Sequence, residues 1–315
     1  MSPSADEPPA LDPAGPGRRI VIFGGAGQLA SELAALLALA PPKAGWQALS
    51  RAECDITDHY RVRITVADQA LAAGENGLAV INAGAYTNVD AAEADEPAAY
   101  AVNAAGPAHL ALACEQVGAQ LVQLSTDYVF SGDRTDGEPY RPLDPIGPQS
   151  AYGRTKLAGE LAVRELLPHA SWVVRTAWVY GASGGNFVKT MARLSQERET
   201  LEVVDDQIGS PTWAGELAAG LLQLIAVAPP SGIYHAAGGG RASWFELARA
   251  VFEELGLDPQ RVHPTTSAAF RRPAPRPAWS VLSSSEWQDA GLTPLRPWRD
   301  ALAAAYEKDG PALGS

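Results

Sequence analysis

The sequence predicts an α/β fold in which helices cover both faces of a doubly wound parallel sheet. Short apolar runs bounded by polar turns alternate with helical segments, at the spacing of strand–helix–strand units. The first run, 19–23, ends at the glycine-rich turn Gly24-Gly25-Ala26-Gly27, from which a helix starts. Because these runs are continuously apolar, the strands should be buried on both faces, as in a parallel sheet.

The other elements follow along the chain. The first helix should span 28–39, since Pro41 and Pro42 come directly after it. Further strands are predicted at 46–49, 78–82, 120–124, 172–175 and 232–236, and further helices of the same half at 98–117 and 152–166. Beyond Gly181 the pattern changes to helices at 186–198, 213–227, 243–255 and 298–307, an extended stretch at 201–208 and a Pro/Arg-rich loop at 264–280.

Composition narrows the function. The 315 residues are 46% hydrophobic. The chain has 36 acidic and 24 basic side chains, which give a net charge of −12. This acidic balance argues against nucleic acid or an anionic membrane as the main partner. Cys54 and Cys114 are too few for a disulfide framework, so a reduced, cytoplasmic setting is expected. The five histidines have no metal-ligand spacing, and neither a signal peptide nor a membrane span of about 20 apolar residues is predicted.

A tyrosine and a lysine carry the strongest chemical signal. Tyr152 and Lys156 are four residues apart in a predicted helix, so they share one face. A nearby cation should lower the pKa of the Tyr152 phenol, as a general acid for carbonyl–alcohol interconversion requires. Ser125-Thr126-Asp127 ends another apolar run and would add a hydroxyl to the same site. The alternative is that the two side chains simply lie on a helix face that is exposed to solvent.

The glycine-rich turn predicts a dinucleotide site of the Rossmann type. Gly24 and Gly27 would let a pyrophosphate approach the start of the first helix. Residues 82–85 (NAGA) end the third strand at the same sheet edge, where they bind ligand or form a simple turn. Ser50 and Arg51 directly follow the second strand, and their hydroxyl and guanidinium favour the 2′-phosphate of NADPH, with NADH also accepted. The alternative is that Arg51 points to solvent.

Three further positions are weaker candidates. Asn103 precedes Pro107 by four residues, so its carbonyl loses a helical hydrogen bond and the helix should bend there. Trp178 follows the fifth strand, where an aromatic ring can stack on a sugar, and Lys189 could contact a phosphate. An ordinary packed aromatic and a solvated lysine are the competing interpretations.

These motifs and several longer strings identify a family. The strings are 85–93 (AYTNVDAAE), 125–132 (STDYVFSG), 152–160 (YGRTKLAGE), 175–181 (RTAWVYG), 206–212 (DQIGSPT) and 276–280 (RPAWS). They span most of the chain, which resembles the extended short-chain dehydrogenases/reductases, and within them the dTDP-4-dehydrorhamnose reductases. Tyr86, Arg141 and Trp279 depart from the residues common in that family.

The resemblance implies NADPH-dependent reduction of the C4 ketone of dTDP-4-dehydro-L-rhamnose to dTDP-L-rhamnose. Tyr152 would donate the proton, Lys156 would hold the nicotinamide ribose, and Thr126 would tune the acid. The implied cofactor-binding set is Gly24, Gly27, Gln28, Leu29, Ser50, Arg51, Asp55, Ile56, Ala83, Gly84, Ala85, Tyr86, Tyr152 and Lys156. The implied substrate-binding set is Val89, Asp90, Thr126, Asp127, Trp178, Asn186, Lys189, Gln207 and Arg276.

The pattern of elements along the chain suggests a domain division, and alternative functions remain open. We expect a disordered tail at 1–17, an NAD(P)-binding Rossmann domain at 18–180 to which 213–237 returns, and a smaller substrate-binding domain at 181–212 and 238–308. Glu32 matches a divalent-cation position of some family members, but no metal is expected here. The chain would act as a monomer or homodimer. A nucleotide-sugar epimerase or dehydratase, and a non-catalytic regulatory subunit, are the competing functions.

Overall fold

The structure is a computed structural model that describes residues 17–314, so nearly all of the predicted tail lies outside the described residues. Its strands are β1 (Arg19–Phe23), β2 (Trp46–Leu49), β3 (Leu78–Asn82), β4 (Gln120–Thr126), β5 (Ser171–Thr176), β6 (Val179–Tyr180), β7 (Leu201–Val204), β8 (Ile208–Gly209), β9 (Thr212–Trp213), β10 (Gly232–His235), β11 (Ala242–Ser243) and β12 (Val262–Thr265). Its α-helices are α1 (Gln28–Leu39), α2 (His59–Ala73), α3 (Val89–Ala94), α4 (Glu96–Tyr100), α5 (Gly106–Val117), α6 (Ala151–Leu166), α7 (Phe187–Glu197), α8 (Ala214–Val227), α9 (Trp244–Glu254), α10 (Ser285–Asp289) and α11 (Trp298–Leu313).

The central sheet confirms the predicted doubly wound fold. Its six strands lie in the order β10-β5-β4-β3-β1-β2, and each neighbouring pair is parallel. The strand β10 returns beside β5 after the second half of the chain has begun, as predicted. Ile20 and Ile22 of β1 pack towards the side of α1 and α8, while Val21 and Phe23 pack towards the side of α2 and α5. This alternation explains why the strand is apolar at every position.

The predicted long helix 98–117 is interrupted. The chain forms α4, then a π-helical turn at Ala101–Ala105, then α5. Pro107 has no N–H to give to the Asn103 carbonyl, and the π-helical turn lies where the sequence predicts a bend. Gly159 of α6 packs directly on that carbonyl, where a β-carbon would overlap the Asn103 oxygen. Gly159 therefore lets α6, the helix that carries Tyr152, lie closely against its neighbour.

The second half of the chain forms small sheets and a separate apolar cluster. Three two-stranded sheets pair β7 with β12, β8 with β11 and β6 with β9. Val188 of α7, Val251 of α9 and Leu302 of α11 belong to one core cluster. The stretch predicted as a loop from 264 begins within a strand, Val262–Thr265, since its residues pair with β7. The last helix continues past the predicted end at 307, with a break at Asp309.

Helix α2 was not identified in the sequence. Val62 and Val66 are buried, but Tyr60, Ile64 and Leu71 are exposed, so apolar residues lie on both faces and obscure the helical period. A usable signal was the N-cap, since the Asp58 carboxylate accepts a hydrogen bond from the Arg61 N–H at 3.1 Å. In residues 17–314, no helix combines the length and apolar character that crossing a membrane needs.

Candidate active site

The turn between β1 and α1 brings two segments of backbone together. Gly24 has φ of 85°, and a β-carbon on it would lie 2.5 Å from the Gly84 nitrogen. Glycine is therefore required there both by the dihedral angle and by the space. Gly27 is the N-cap of α1 and offers no side chain to its first N–H groups. These N–H groups remain available to an anion, as in a dinucleotide site.

A cavity of about 810 Å³ lies at the carboxyl edge of the central sheet. This is the edge at which open α/β folds bind ligands. It brings together most of the residues singled out in the sequence: Gly24, Gly27, Gln28, Leu29, Arg51, Asp55, Ile56, Ala83, Gly84, Ala85, Tyr86, Val89, Thr126, Asp127, Tyr152, Lys156 and Trp178. Segments far apart in the chain thus meet around one space.

Tyr152 and Lys156 both face this cavity from the first turns of α6. The helix begins after Ser150, whose hydroxyl accepts a hydrogen bond from the Gly153 N–H at 3.1 Å. Lys156 is only 4% exposed, and its ammonium donates to the Leu124 carbonyl of β4 at 2.7 Å. The ring of Tyr152 meets Tyr128 edge to face, with centroids 5.5 Å apart.

The predicted lowering of the tyrosine pKa is wrong for this state. Burial raises the pKa of Tyr152 to about 12; the interaction with Thr126 lowers it and the Asp127 charge raises it. Burial also lowers the pKa of Lys156 to about 8, opposed by the charge of Glu160. The Lys156 ammonium makes its hydrogen bond to a main-chain carbonyl. Burial is therefore the largest influence on the pKa of the Tyr152 phenol. Tyr152 is therefore a neutral phenol at working pH, which is the form that can donate a proton.

Thr126 and Asp127 lie at the end of β4. The Thr126 hydroxyl donates to Asp127 Oδ1 at 2.9 Å. Burial raises the pKa of Asp127 to about 6, although Ser280 and Thr126 both act to lower it. Asp127 Oδ2 and Ser280 Oγ are buried, and neither has a hydrogen-bond partner within the described part of the chain. The carboxyl group can therefore change its protonation near neutral pH.

At the end of β2, Ser50 and Arg51 are both engaged by carboxylates. The Ser50 N–H and hydroxyl donate to Glu53 at 2.8 Å and 2.6 Å. The Arg51 guanidinium donates to Asp55 at 2.8 Å, while its side chain is 80% exposed. Arg51 lines the cavity but Ser50 does not. A phosphate group would thus have to compete with Glu53 and Asp55 for these donors.

A second cavity of about 340 Å³ continues the first towards the second half of the chain. Gln207 and Arg276 line it, and Tyr128 and Trp244 line both cavities. Arg276 also pairs with Asp90 at 3.0 Å, which ties the 264–280 loop to α3. Asp90 therefore sits behind the arginine and lines neither cavity.

Besides Asp90, two further residues of the predicted substrate set, Asn186 and Lys189, lie outside both cavities. Asn186 is the N-cap of α7, where its Oδ1 accepts a hydrogen bond from the Lys189 N–H at 3.0 Å. The Lys189 ammonium donates to the Ala182 carbonyl at 3.2 Å. In this structure both side chains hold the turn before α7.

Three side chains that shape the site are absent from the predicted sets: Tyr128, Trp244 and Asn103. Trp244 stacks on Trp178 with centroids 3.5 Å apart and ring planes 5° apart, and its indole N–H donates to Gln207 at 3.2 Å. Nothing in the sequence connects these distant tryptophans. Asn103 was predicted only to mark a bend. Its side chain also holds the Tyr86 backbone, accepting from the N–H at 2.8 Å and donating to the carbonyl at 3.1 Å.

Glu32 is engaged by a cation from the end of the chain. The Lys308 ammonium of α11 donates to the Glu32 carboxylate at 2.8 Å, and Glu32 is 6% exposed. Between residues 17 and 314, no group of three or more His, Cys, Asp or Glu side chains could hold a metal ion. Lys308 therefore provides the positive charge beside this buried carboxylate.

Known proteins resemble this chain over nearly its whole length. A sequence profile for the family described as the RmlD substrate binding domain matches residues 18–310. The dTDP-4-dehydrorhamnose reductase of Mycobacterium tuberculosis is 51% identical over 295 residues, which cover 93% of this chain and 93% of that protein. The dTDP-4-keto-6-deoxy-D-glucose reductase of Streptomyces niveus is 44% identical, over 91% of this chain and 96% of that protein.

A solved structure agrees with these relatives. The dTDP-4-dehydrorhamnose reductase of Bacillus anthracis, crystallised in complex with NADP, has a TM-score of 0.85 and 36% sequence identity to this chain. The match covers 92% of this chain and 99% of the other. Together with the profile and the sequence relatives, it leads to one conclusion: this chain belongs to the dTDP-4-dehydrorhamnose reductase family.

Proposed function

We propose that this protein uses NADPH to reduce the C4 ketone of dTDP-4-dehydro-L-rhamnose, giving dTDP-L-rhamnose. The observation that carries the proposal is the convergence of Tyr152, Lys156 and Thr126 beside the glycine turn, in one cavity at the carboxyl edge of the sheet. The 51% identity to a reductase of this name over 93% of the chain supports the substrate class.

The cofactor side of the cavity fits a nicotinamide dinucleotide. The close approach of Gly24 to Gly84 leaves only backbone at the point where a pyrophosphate would pass, and the N-terminus of α1 faces it with uncapped N–H groups. Ala83 and Gly84 add further small residues to the lining of the cavity that Lys156 shares. The bound reduced cofactor supplies the hydride for the ketone carbon.

Tyr152 supplies the proton. Because its pKa is raised to about 12, the phenol keeps its proton at working pH and can donate it to the ketone oxygen. The phenolate that remains would be stabilised by the Lys156 ammonium and the Thr126 hydroxyl. Lys156 is largely charged below its pKa of about 8. Reduction should therefore be fastest at pH values below about 8, where this charge is present.

The chemistry of the site argues against two alternatives. A dehydratase of this fold would need a second acid/base pair after Thr126, but Asp127 is followed by Tyr128, whose pKa is raised by burial. A non-catalytic regulatory subunit would have no need for the intact set of Tyr152, Lys156 and Thr126. A second candidate substrate is dTDP-4-keto-6-deoxy-D-glucose, because a relative with 44% identity is named for it.

Cofactor choice, location and assembly are parts of the same proposal. The arginine at the end of β2 and the NADP complex of the Bacillus anthracis relative support NADPH over NADH, with NADH still accepted. The free, buried thiols of Cys54 and Cys114 fit the reduced cytoplasm. We propose no divalent cation at Glu32, since Lys308 already pairs with it, and either a monomer or a homodimer as the active form.

The test is a substrate panel. Purified protein would be given NADPH with dTDP-4-dehydro-L-rhamnose, its UDP-linked analogue or dTDP-4-keto-6-deoxy-D-glucose, and both cofactor oxidation and the sugar product would be followed. We expect the highest kcat/KM with dTDP-4-dehydro-L-rhamnose and dTDP-L-rhamnose as product. No cofactor oxidation with any of the three would refute the proposal. A higher kcat/KM with the glucose-derived ketone would replace the substrate assignment.

A further inference from the structure

Glu160 and Arg175 form a buried ion pair beside the proposed active site. Both side chains are only 2% exposed, and the guanidinium binds the carboxylate through two hydrogen bonds, at 2.9 Å and 2.7 Å. A third N–H of Arg175 donates to the Pro142 carbonyl at 2.9 Å. The guanidinium also lies over the ring of Phe130, 5.0 Å from its centre. The pair is thus fixed in direction by planar, bidentate contacts.

The position of the pair links the segments that carry the chemistry. Glu160 lies on α6 one turn after Lys156 and two turns after Tyr152, so the three share a face of the helix. Arg175 is on β5 opposite Ser125, and the next residue, Thr176, is opposite Thr126. The two hydrogen bonds therefore join the helix of the proton donor to the strand that supports the end of β4.

Stability does not account for such a pair. Removing two charges from water costs several kcal/mol per ion, and well-packed apolar side chains of similar size often hold two elements together equally well. An ion pair provides two other things: a fixed orientation and a local charge. Both would matter here, because Tyr152, Lys156 and Thr126 must meet around one carbonyl group.

We propose that Glu160 and Arg175 are positioning residues for the reduction, which set how α6 lies on the sheet and keep a negative charge one turn from the Lys156 ammonium. This inference rests on the proposed function. Neither side chain lines the cavity, so neither is assigned a contact with substrate or cofactor.

The charges around Lys156 support the second half of this proposal, which concerns the negative charge of Glu160. The helix of Lys156 also carries Glu160 and Tyr152; Asp127, after β4, lines the same cavity, and Arg175 of β5 pairs with Glu160. The adjacent π-helical turn contributes the neutral Asn103. Among these, Glu160 is the group that raises the lysine pKa against the effect of burial. Without the Glu160 charge, Arg175 would remain uncompensated and Lys156 would lose its proton more readily.

The first variant is Glu160→Gln, which keeps the size of the side chain and removes its charge. We expect kcat to fall at least about tenfold and the alkaline limb of the kcat–pH profile to move to lower pH by about one unit, the scale of the influence of a neighbouring charge. Arg175→Lys keeps a charge but loses the planar fork, so it should lower kcat while leaving the alkaline limb near its wild-type position.

The double variant Glu160→Met/Arg175→Met separates positioning from stability. With no charge left buried, its Tm should return to the wild-type value or exceed it. Its kcat should stay at least about tenfold below wild type, because the orientation and the charge are both gone. Should a single variant fail to fold, this double variant decides the question alone. A double variant with wild-type kcat and an unmoved alkaline limb would overturn the proposal.

A matched control lies on the same helix. Arg154 of α6 binds Glu96 through two hydrogen bonds, at 3.0 Å and 2.7 Å, but the side chains are 44% and 43% exposed. Arg154→Met should change both kcat and Tm little, as expected of an exposed pair. Failure of the proposed function would be visible separately, as a wild-type protein without turnover. If the wild type is active and the Glu160 and Arg175 variants lose only Tm, the positioning role is refuted while the function stands.

Discussion

The two walls of the large cavity are built in different ways. The wall that we propose binds the cofactor, the cofactor wall, consists of backbone: Gly24 and Gly84 approach each other at the ends of neighbouring strands, beside the start of α1. The wall that we propose binds the sugar, the substrate wall, consists of large side chains from distant segments, chiefly Trp178, Trp244 and Tyr128. Backbone walls need small residues at fixed points of the fold, whereas side-chain walls depend on how loops pack. A single substitution in the cofactor wall should therefore cause a large loss of ligand affinity, whereas one in the substrate wall should cause a smaller loss.

The largest effect is expected at Gly24. In Gly24→Ala the new methyl group would lie 2.5 Å from the Gly84 nitrogen at a φ of 85°, so the two turns must separate. NADPH affinity, measured by fluorescence titration, should fall at least about 100-fold, which corresponds to about 2.7 kcal/mol.

Gly118→Ala is the matched control. Gly118 also has positive φ, 67°, but a β-carbon there meets nothing within 4 Å. This variant should lose about 1 kcal/mol of unfolding free energy and bind NADPH like the wild type. Unchanged NADPH affinity in Gly24→Ala would contradict the description of the cofactor wall.

The next effect concerns Asp127, which lines the same cavity. Its folded-state pKa of about 6 lies above the usual value, so the folded protein binds more protons than the unfolded chain between about pH 4 and 6. The free energy of unfolding therefore falls as pH rises through that window, and the deficit persists above it. Asp127→Asn should be about 1–2 kcal/mol more stable than wild type at pH 7.5 and show little gain at pH 4.

Chemical denaturation at the two pH values would measure this difference. The same variant should lose turnover, because the carboxylate next to Thr126 is gone. Equal stability of the variant and the wild type at pH 7.5 would show that the folded protein accommodates the charge of Asp127 without cost.

A smaller effect is expected at Trp244. Trp244→Ala removes the ring stacked on Trp178 and the hydrogen bond to Gln207. Aromatic pairs of this kind contribute about 0.5–1.5 kcal/mol beyond their burial, so KM for the sugar nucleotide should rise up to about tenfold. Trp244→Phe should recover most of the loss. NADPH affinity serves as the internal control, and a change there larger than the change in KM would mean that Trp244 belongs to the cofactor wall.

The smallest effect is expected at Arg51, which is exposed and already paired with Asp55. Arg51→Ala should lower kcat/KM for NADPH several-fold and leave kcat/KM for NADH unchanged. The loss should be smaller than the roughly 1.5–3 kcal/mol of a full charge-assisted hydrogen bond, because the arginine is exposed. Glu53→Gln should act in the opposite direction, because it weakens the hold on Ser50 and removes a charge that would repel the 2′-phosphate. An undiminished preference for NADPH in Arg51→Ala would exclude this arginine as its source.

The same contrast between the two walls explains which parts of the site could be predicted from the sequence. The cofactor wall follows from short-range rules: a glycine turn after a strand, small residues after another, and the i, i+4 spacing of Tyr152 and Lys156. The stacking of Trp178 on Trp244 could not be predicted, because the two residues meet only through the packing of α9 beside the end of β5. Neither could the pairing of Glu160 with Arg175, although each lies in a recognised string.

The error about the tyrosine pKa has a similar origin. Helical spacing places Lys156 near Tyr152, but it does not say where the ammonium finds a partner. That partner is the Leu124 carbonyl, which belongs to a different element. Burial then decides the pKa of both groups. Electrostatic predictions need the tertiary structure even where the local geometry is correct.

The central claim is that Tyr152 donates the proton to the sugar ketone, and the most direct test is Tyr152→Phe with turnover and NADPH binding measured on one preparation. The variant removes only a hydroxyl group from a ring that remains packed against Tyr128. We predict a kcat at least about 100-fold below wild type, on the scale of general-acid catalysis, with unchanged NADPH affinity and Tm. A kcat within about threefold of wild type, in a variant that still binds NADPH, would contradict the account.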